Sequence, residues 1–168
     1  MKMIFRKGKK EELEYIVSLY DSVKGDALCV WSDVYPTMFE AEEDEAIGNL
    51  YVVELDNKIV ACASIVPVNE MDHFDEWQVK DDVAEIGRVV VDKNYRGMKI
   101  GKFLLESIID EIRNRGYNSI HLSTAIINIP AQKNYERLGF KTVGTKYMWG
   151  NDYFLCEKIL KEDINENL

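Results

Sequence analysis

The sequence predicts an α/β protein in which one mixed sheet carries helices on both faces. Short β-rich runs alternate with stretches of helical periodicity along the 168 residues. Neither a linker nor an internal repeat interrupts this alternation. With 46% hydrophobic residues, a chain of this length can bury a core of its own. We therefore expect a single domain that spans residues 1–168.

The amino-terminal part contains the patterns of a strand, a helix and a hairpin. Residues 3–7 form a short β-rich run, and residues 11–23 carry apolar side chains with the spacing of one helical face. Residues 26–46 have no sustained period, so we expect broken helices there. Two β-rich runs within residues 49–68 are joined around the tripeptide DNK, which suits a turn and predicts a hairpin.

The remaining sequence predicts further strands and two helices. Apolar spacing predicts a long helix over residues 100–117, which Gly116 ends. A shorter helix is expected to begin near Pro130, a favourable first-turn residue, and to end at Gly139. The predicted strands are residues 83–91, residues 118–125 and two strands within residues 141–160.

The end of the sequence predicts a turn and a loose tail. The last two strands are expected to turn near Gly150 and Asn151, two residues that suit tight turns. The tail KEDINENL, residues 161–168, consists mostly of polar residues, so we expect it to fray.

Composition and charge argue against several classes of protein. The formal charge of −9 argues against nucleic acid as a partner, because phosphate binding needs a basic face. The apolar runs are too short for a bilayer span, so we expect no membrane partner. The cysteines have no paired spacing, which indicates neither a disulfide framework nor a metal site and favours a cytoplasmic protein. They are Cys29, Cys62 and Cys156.

Acidic residues concentrate in two runs. Five of the six residues from Glu40 to Glu45 are acidic, and a second cluster extends from Asp72 to Glu76. Such runs are commonly solvated surface. Alternatively, they flank the mouth of a cleft and attract a cationic amine.

The loop in VVVDKNYRGMKIGKFLL, residues 89–105, is a candidate anion site. A strand that leads into a helix exposes backbone N–H groups at the helix start, and glycine lets a phosphate approach them. Arg96, Lys99 and Lys102 would favour the same ligand. The loop has neither the GK[ST] of a P-loop nor the GxGxxG of a dinucleotide fold. Alternatively, Gly97 and Gly101 serve only the packing of a tight turn.

This loop resembles the acetyl-CoA signature of the GNAT N-acetyltransferase superfamily, (R/Q)-x-x-G-x-(G/A). Arg96 and Gly101 match its ends, whereas Lys99 occupies the position of the usual middle glycine. Downstream, NIPAQKNYERLGF resembles the family segment N-x-x-A-x-x-x-Y-x-x-L-G-F, from Asn128 to Phe140. The resemblance implies the GNAT acyl-CoA N-acyltransferase fold, whose central sheet is mixed and twisted.

The resemblance also implies acetyl-CoA as the co-substrate and assigns residues to it. In this fold the strand before the loop splays from its neighbour and the pantetheine arm pairs with it as an added strand would. The implied cofactor-binding residues are Val89, Val91, Arg96, Gly97, Met98, Lys99, Ile100, Gly101, Asn128 and Tyr135.

Glu85 is the candidate general base. An alkylammonium, with a pKa of about 10.4, must lose a proton before it attacks a thioester. Glu85 lies eleven positions before Arg96, the spacing of the base in the histone-modifying branch that the sequence resembles. It would act directly or through water. Alternatively, it is an ordinary partner of Arg88 or Lys99.

Tyr135 is the candidate general acid, because the resemblance places there the hydroxyl that protonates the leaving thiolate. Alternatively, Tyr135 only packs against the cofactor. Histidines His73 and His121 are weaker candidates, and His121 alternates with apolar residues as a sheet histidine would.

The sequence therefore predicts an N-acetyltransferase that acts on a primary amine of a small molecule or peptide in a ternary complex. Two alternatives remain: a GNAT-fold module that senses acyl-CoA without turnover, and a nucleotide-binding α/β domain, against which the missing glycine spacing counts. Exposed aromatic residues in the final strands would allow a homodimer.

Overall fold

The computed structural model describes residues 2–161 and divides the chain into two compact units. The first unit contains the residues up to Pro67 together with Ile86–Ile108. The second unit contains Val68–Glu85 and the residues from Ile109 onward.

Seven strands form a mixed sheet in the order β1-β2-β3-β4-β5-β7-β6. The pair β4 and β5 is parallel, whereas β1–β2, β2–β3, β5–β7 and β6–β7 are antiparallel. The strands are β1 Met3–Lys7, β2 Leu50–Leu55, β3 Lys58–Val66, β4 Val83–Val91, β5 Ser119–Ala125, β6 Lys141–Met148 and β7 Asn151–Ile159. The helices are α1 Leu13–Val23, α2 Met38–Ala46, α3 Ile100–Asn114 and α4 Ile129–Arg137. The predicted mixed α/β class is confirmed.

In the first unit, α1 and the β2–β3 hairpin share one hydrophobic core. The helix forms because its apolar residues recur on one face, and Ile16 and Tyr20 are completely buried. They pack in one cluster with Leu50 and Val52 of the hairpin. Asp56 and Asn57, at the predicted turn, have positive φ angles of 49° and 65°.

The broken helices predicted for residues 26–46 are wrong in part. Only α2 forms, and it begins at Met38 because Thr37 and Glu40 make a capping box. Oε2 of Glu40 accepts a hydrogen bond from the Thr37 backbone at 2.7 Å. The preceding chain is irregular apart from an isolated bridge between Ser32 and Tyr35.

In the second unit, β5 pairs along its whole length with β7, from Ser119 opposite Ile159 to Ala125 opposite Tyr153. The β6–β7 turn is formed by Trp149 and Gly150, with φ angles of 51° and 83°. The predicted turn at Gly150 and Asn151 is therefore one residue too late, because Asn151 already begins β7.

Three further predictions concern the end of α3, the aromatic residues near the final strands and the carboxy-terminal tail. Gly116, with φ of 88°, lies just beyond α3, and its N–H donates to Arg113. Tyr147 and Trp149 are exposed, with 73% and 65% of their surface accessible. Lys161 is held by a hydrogen bond from its ammonium to the Gly116 carbonyl, and the rest of the tail lies outside the described residues.

None of the helices formed by residues 2–161 is both long and apolar enough to cross a lipid bilayer. All three cysteines are free thiols, and Cys62 and Cys156 are buried.

Candidate functional site

The loop between β4 and α3 has a backbone conformation that favours glycine at two positions. Asp92 begins it: its amide donates to Val60 at 2.8 Å, and its side chain accepts from Asn94 at 2.9 Å. Further along, Gly97 has φ of 79° and Lys99 has φ of 63°. Both are left-handed conformations, which a residue with a Cβ adopts at a cost of about 1–2 kcal/mol. Lys99 therefore takes a backbone conformation that ordinarily favours glycine.

The packing alternative for the two glycines can be examined in the first unit. A Cβ at Gly97 would have no neighbour within 4 Å among the described residues, and a Cβ at Gly101 would meet only Val91, at an ordinary 3.5 Å. At position 97 the left-handed φ favours glycine over residues that carry a Cβ. At Gly101 neither φ nor packing within the protein requires glycine. The packing alternative therefore does not explain Gly101.

The start of α3 leaves backbone donors available. Phe103 donates to the Lys99 carbonyl at 3.1 Å and so closes the first helical turn. The amides of Ile100, Gly101 and Lys102 precede that bond, and helix geometry gives them no carbonyl within the helix. Together with the positive end of the helix dipole, these N–H groups form an arrangement suited to an anion.

The side chains around this loop are mostly cationic, and neighbouring carboxylates partly balance them. Asp26 is 2.8 Å from the ammonium of Lys93 and 3.7 Å from the guanidinium of Arg96. The Lys93 hydrogen bond is the main reason that the pKa of Asp26 is lowered. Lys99 and Lys102 are exposed, and Lys102 lies 3.8 Å from Glu106.

The end of β4, in the first unit, has side chains of alternating burial. Val90 is 3% exposed and packs in the hydrophobic cluster of α1 and β2. Val89 and Val91, the predicted pantetheine contacts, are half-buried. Since successive side chains of a strand point to opposite faces, Val90 fixes which face the other two present.

Arg88 and Asp44 form a buried ion pair in the first unit. Nη1 of Arg88 lies 3.2 Å from Oδ2 of Asp44, and the two side chains are 7% and 0% exposed. Burial raises the pKa of Asp44, while Ser64 and Arg88 counter that rise. The guanidinium also lies 5.6 Å from the ring centre of Tyr35. Treating the whole acidic run from Glu40 as surface was therefore wrong at Asp44.

Glu85, the predicted base, lies on β4 within the second unit. The parallel register runs from Val83 opposite Ser119 to Glu85 opposite His121. Oε1 of Glu85 accepts a hydrogen bond from the amide nitrogen of Asn69 at 2.9 Å. The alternative interpretation of Glu85 made it an ordinary partner of Arg88. In the first unit, the guanidinium of Arg88 donates hydrogen bonds to Asp44.

Sequence reasoning missed Asn69. It starts a short 3₁₀ turn, Glu70–His73, in which it caps Met71 and Asp72 caps it in return. The spacing of an Asn three residues before an Asp is a capping pattern that could have revealed the turn.

His121 is a buried sheet histidine with a carboxylate partner. It is 1% exposed, and its Nε2 lies 2.9 Å from Oε2 of Glu157. Its ring stacks on Trp77, with centroids 3.8 Å apart and planes 11° apart. Burial lowers the pKa of His121, although Glu157 opposes this. Neither Glu157 nor Trp77 was a predicted partner.

Helix α4 carries the other two predicted site residues. Asn128 caps it by accepting a hydrogen bond from Ala131 at 3.3 Å. Burial raises the pKa of Tyr135 to about 12. Its ring makes an edge contact with Phe140, with centroids 5.8 Å apart.

The predicted residues are thus grouped by unit. The first unit brings together the loop from Arg96 to Gly101 and the two valines before it. The second contains Glu85, Asn128 and Tyr135.

Comparison with known families gives a match over most of the chain. The family described as "Acetyltransferase (GNAT) family" matches residues 16–140, which include β4, the loop and α4.

Two curated relatives match shorter segments. N-acetylaspartate synthetase of Xenopus tropicalis is 45% identical over 65 residues, which are 39% of this chain and 24% of that protein. N-acetyltransferase 8B of Homo sapiens is 28% identical over 97 residues, which are 58% of this chain and 40% of that protein. The chain therefore spans less than half the length of these relatives.

Among solved structures, the yncA protein of Salmonella typhimurium, solved with its cofactor acetyl-CoA, has a TM-score of 0.75 with this chain. The match covers 96% of each chain at 21% identity. A likeness at this identity shows that the two chains share a fold.

Proposed function

Because this chain belongs to the GNAT acetyltransferase family, we propose that it transfers the acetyl group of acetyl-CoA to a primary amine. The observation that carries the proposal is the loop after β4. Lys99 takes the left-handed conformation at the signature's middle glycine, and α3 starts directly after it.

The cofactor's diphosphate is assigned to this loop. The amides from Ile100 to Lys102 would donate to phosphate oxygens, and Arg96, Gly97, Met98 and Lys99 would surround them. Gly101 supports the assignment because the protein itself leaves ordinary space for a Cβ there. A glycine at this point leaves room for a ligand.

The pantetheine arm is assigned to the backbone of Val89 and Val91 in the first unit. Asn128, in the second unit, stays a cofactor contact that the family resemblance predicts. A bound arm would use the peptide groups of β4 as an added strand does. The half-buried state of both valines supports this assignment.

The chemistry proposed is direct attack in a ternary complex. The amine nitrogen forms a bond to the thioester carbonyl carbon, the C–S bond breaks, and the thiolate leaves. Glu85 accepts the proton that the ammonium must lose, directly or through a water molecule. Its hydrogen bond from Asn69 supports this role, because a donated hydrogen bond favours the carboxylate form that a base requires.

Tyr135 is proposed to assist the leaving thiolate. With its pKa raised to about 12, the hydroxyl stays protonated at neutral pH and can donate a hydrogen bond to sulfur. A thiol has a pKa of about 8.5. Full proton transfer from Tyr135 would therefore be uphill, so stabilisation by a hydrogen bond is its main contribution.

The acceptor is proposed to be an amine of a small molecule or peptide. A relative named N-acetylaspartate synthetase favours amino acids as the first group to assay. A narrower proposal is that the acceptor is cationic. The exposed carboxylates of Glu42 and Glu43 support it, because they could attract a positive charge, whereas Asp44 is buried and does not support it. Comparing kcat/KM for a diamine and a matched monoamine at low and high salt tests it.

A thiol-release assay with acetyl-CoA and a panel of amines tests the proposal. We expect thiol release that depends on the amine, and no release from Glu85→Gln above a low background. Tight binding of acetyl-CoA without thiol release on any amine would instead indicate an acyl-CoA sensor.

We also propose a cellular location and an oligomeric state for the protein. The three free cysteines support a cytoplasmic location. Exposed Tyr147 and Trp149 support a homodimer, which sedimentation at increasing concentration would detect.

A further inference from the structure

The segment before β4 holds the proposed base from a fixed position. Asn69 and Glu85 are both in the second unit, and the Asn69 amide nitrogen lies 2.9 Å from Oε1 of Glu85. A single amide donor reaches one of the carboxylate's lone-pair positions, of which an ionised carboxylate has about four. The contact can therefore orient Glu85 without using up its capacity to accept a proton.

The direction of the Asn69 amide is set by its own turn. Its side-chain oxygen accepts from the Met71 backbone at 2.9 Å, and its backbone N–H donates to Asp72 at 2.7 Å. With the oxygen occupied in this way, the NH₂ group is the part that faces Glu85. The turn thus presents a donor, and a donor favours the ionised form of a carboxylate.

The turn is anchored to the core of the second unit. Met71 is 3% exposed, and its carbonyl accepts from the indole nitrogen of Trp77 at 2.7 Å. Trp77 stacks on His121, and His121 pairs with Glu157. A buried chain of contacts therefore leads from β5 and β7 to the turn that carries Asn69.

Glu157 fixes the same segment at a second point. Its two carboxylate oxygens accept from the backbone amides of Gln78 and Val79, at 2.9 and 3.1 Å. Glu157 is 3% exposed, so these hydrogen bonds lie out of water. The segment is thus held at Met71 by the indole of Trp77 and at Gln78 and Val79 by Glu157.

We propose that Asn69 is a positioning residue for the acetyl transfer: its amide orients the Glu85 carboxylate toward the amine and keeps it in the proton-accepting form. The inference rests on the proposed function, since it assigns Asn69 a role only if Glu85 is the base. The titratable groups on the neighbouring elements of the same unit are Asp72 on the turn, His121, which lies opposite Glu85 on β5, and Glu157 on β7, which pairs with His121.

Asn69→Asp is the sharpest test. Asp caps a turn as well as Asn does, so the bonds to Met71 and Asp72 can persist. Toward Glu85, however, the variant presents a carboxylate oxygen in place of a donor. We expect kcat/KM to fall about tenfold or more, with the acid limb of its pH profile moved to higher pH. Asn69→Ala should show the same shift to a smaller extent.

Asn114→Ala is the matched control, since Asn114 is exposed at the end of α3 in the same unit. It should leave the profile unchanged. The titration of Glu85, followed by carbon NMR in wild type and both Asn69 variants, provides a readout that does not depend on the choice of amine.

The outcomes separate the two proposals. If Glu85→Gln abolishes the acid limb while Asn69→Asp leaves the midpoint and the Glu85 titration unchanged, the positioning role is overturned and the base assignment stands. If Glu85→Gln keeps the acid limb, both are overturned. A raised midpoint in Asn69→Asp, together with loss of the limb in Glu85→Gln, supports both.

Discussion

The guanidinium of Arg88 lies against the carboxylate of Asp44 with both side chains almost completely withdrawn from solvent. Arg88 reaches this position from a left-handed backbone conformation, φ of 52°, within strand β4. A pair of buried charges is costly to separate, because the remaining charge has no solvent to replace its partner.

Removing Asp44 should therefore destabilise the protein strongly. We expect Asp44→Ala to lower the free energy of unfolding by about 3–5 kcal/mol, since it leaves the Arg88 charge buried alone. Urea denaturation measures the change. Glu43→Ala, at the exposed neighbouring position, should stay within about 0.5 kcal/mol of wild type. Equal effects of the two variants would contradict the importance of the pair.

Replacing Lys99 should separate backbone strain from charge. Lys99→Gly removes the cost of a left-handed residue with a Cβ, and we expect about 1 kcal/mol of added stability. Lys99→Ala removes the same charge but keeps the conformation, so it should not gain stability. Both variants should weaken acetyl-CoA binding modestly, as measured by calorimetry. A stabilised Lys99→Ala would show that charge, and not backbone conformation, is responsible.

Gly101→Val should affect cofactor binding more than folding. A Cβ at this position meets only ordinary contact with Val91, so the thermal midpoint without ligand should change little. The stabilisation by acetyl-CoA should disappear, because the side chain fills the approach to the helix start. Glu106→Val, on the exposed face of α3, is the control and should keep the ligand-induced shift. Loss of the shift in both variants would contradict the loop assignment.

Tyr135→Phe should lower turnover while cofactor affinity is kept. The substitution removes the hydroxyl and little apolar surface, and loss of such a group costs about 10²–10⁴-fold. Because the pKa of Tyr135 is raised to about 12, no limb of the pH–rate profile between pH 6 and 10 should belong to it. Turnover of Tyr135→Phe equal to wild type would show that the Tyr135 hydroxyl does not assist the leaving thiolate.

His121 should make stability depend on pH in the acid range. Burial lowers its pKa in the folded state, so below about pH 6.5 the unfolded chain binds a proton more readily than the folded one. The His121 contribution is therefore fully present above that pH and is lost as the pH falls. His121→Asn should flatten the pH dependence of Tm between pH 5 and 7. An unchanged slope would assign the dependence to other groups.

The elements that the sequence predicted best are those defined by local patterns. The apolar spacing of α1 and the glycines beyond α3 and α4 involve residues close in the chain, so their outcome depends little on the rest of the fold. The β6–β7 turn was predicted one residue too late because Trp149 adopts a left-handed conformation, which is rare for a residue of its size.

The candidate site residues were predictable where a local motif, as in the loop after β4, or a family pattern marks them. Glu85, Asn128 and Tyr135 lie at such positions, and their roles remain proposals. Asp44 was misassigned because its partner is 44 residues away, and an acidic run shows no difference between a buried and an exposed carboxylate. Asn69 showed its capping pattern, but the bond to Glu85 depends on tertiary placement.

Asp26 gives the loop between β4 and α3 an internal counter-ion. Its carboxylate already lies against Lys93 and Arg96, so these cations are partly neutralised before any diphosphate arrives. Binding would exchange one anion for another at Arg96, and fewer ions from the solution would be displaced. The affinity for the cofactor would then vary less with ionic strength than the number of basic residues in the loop suggests.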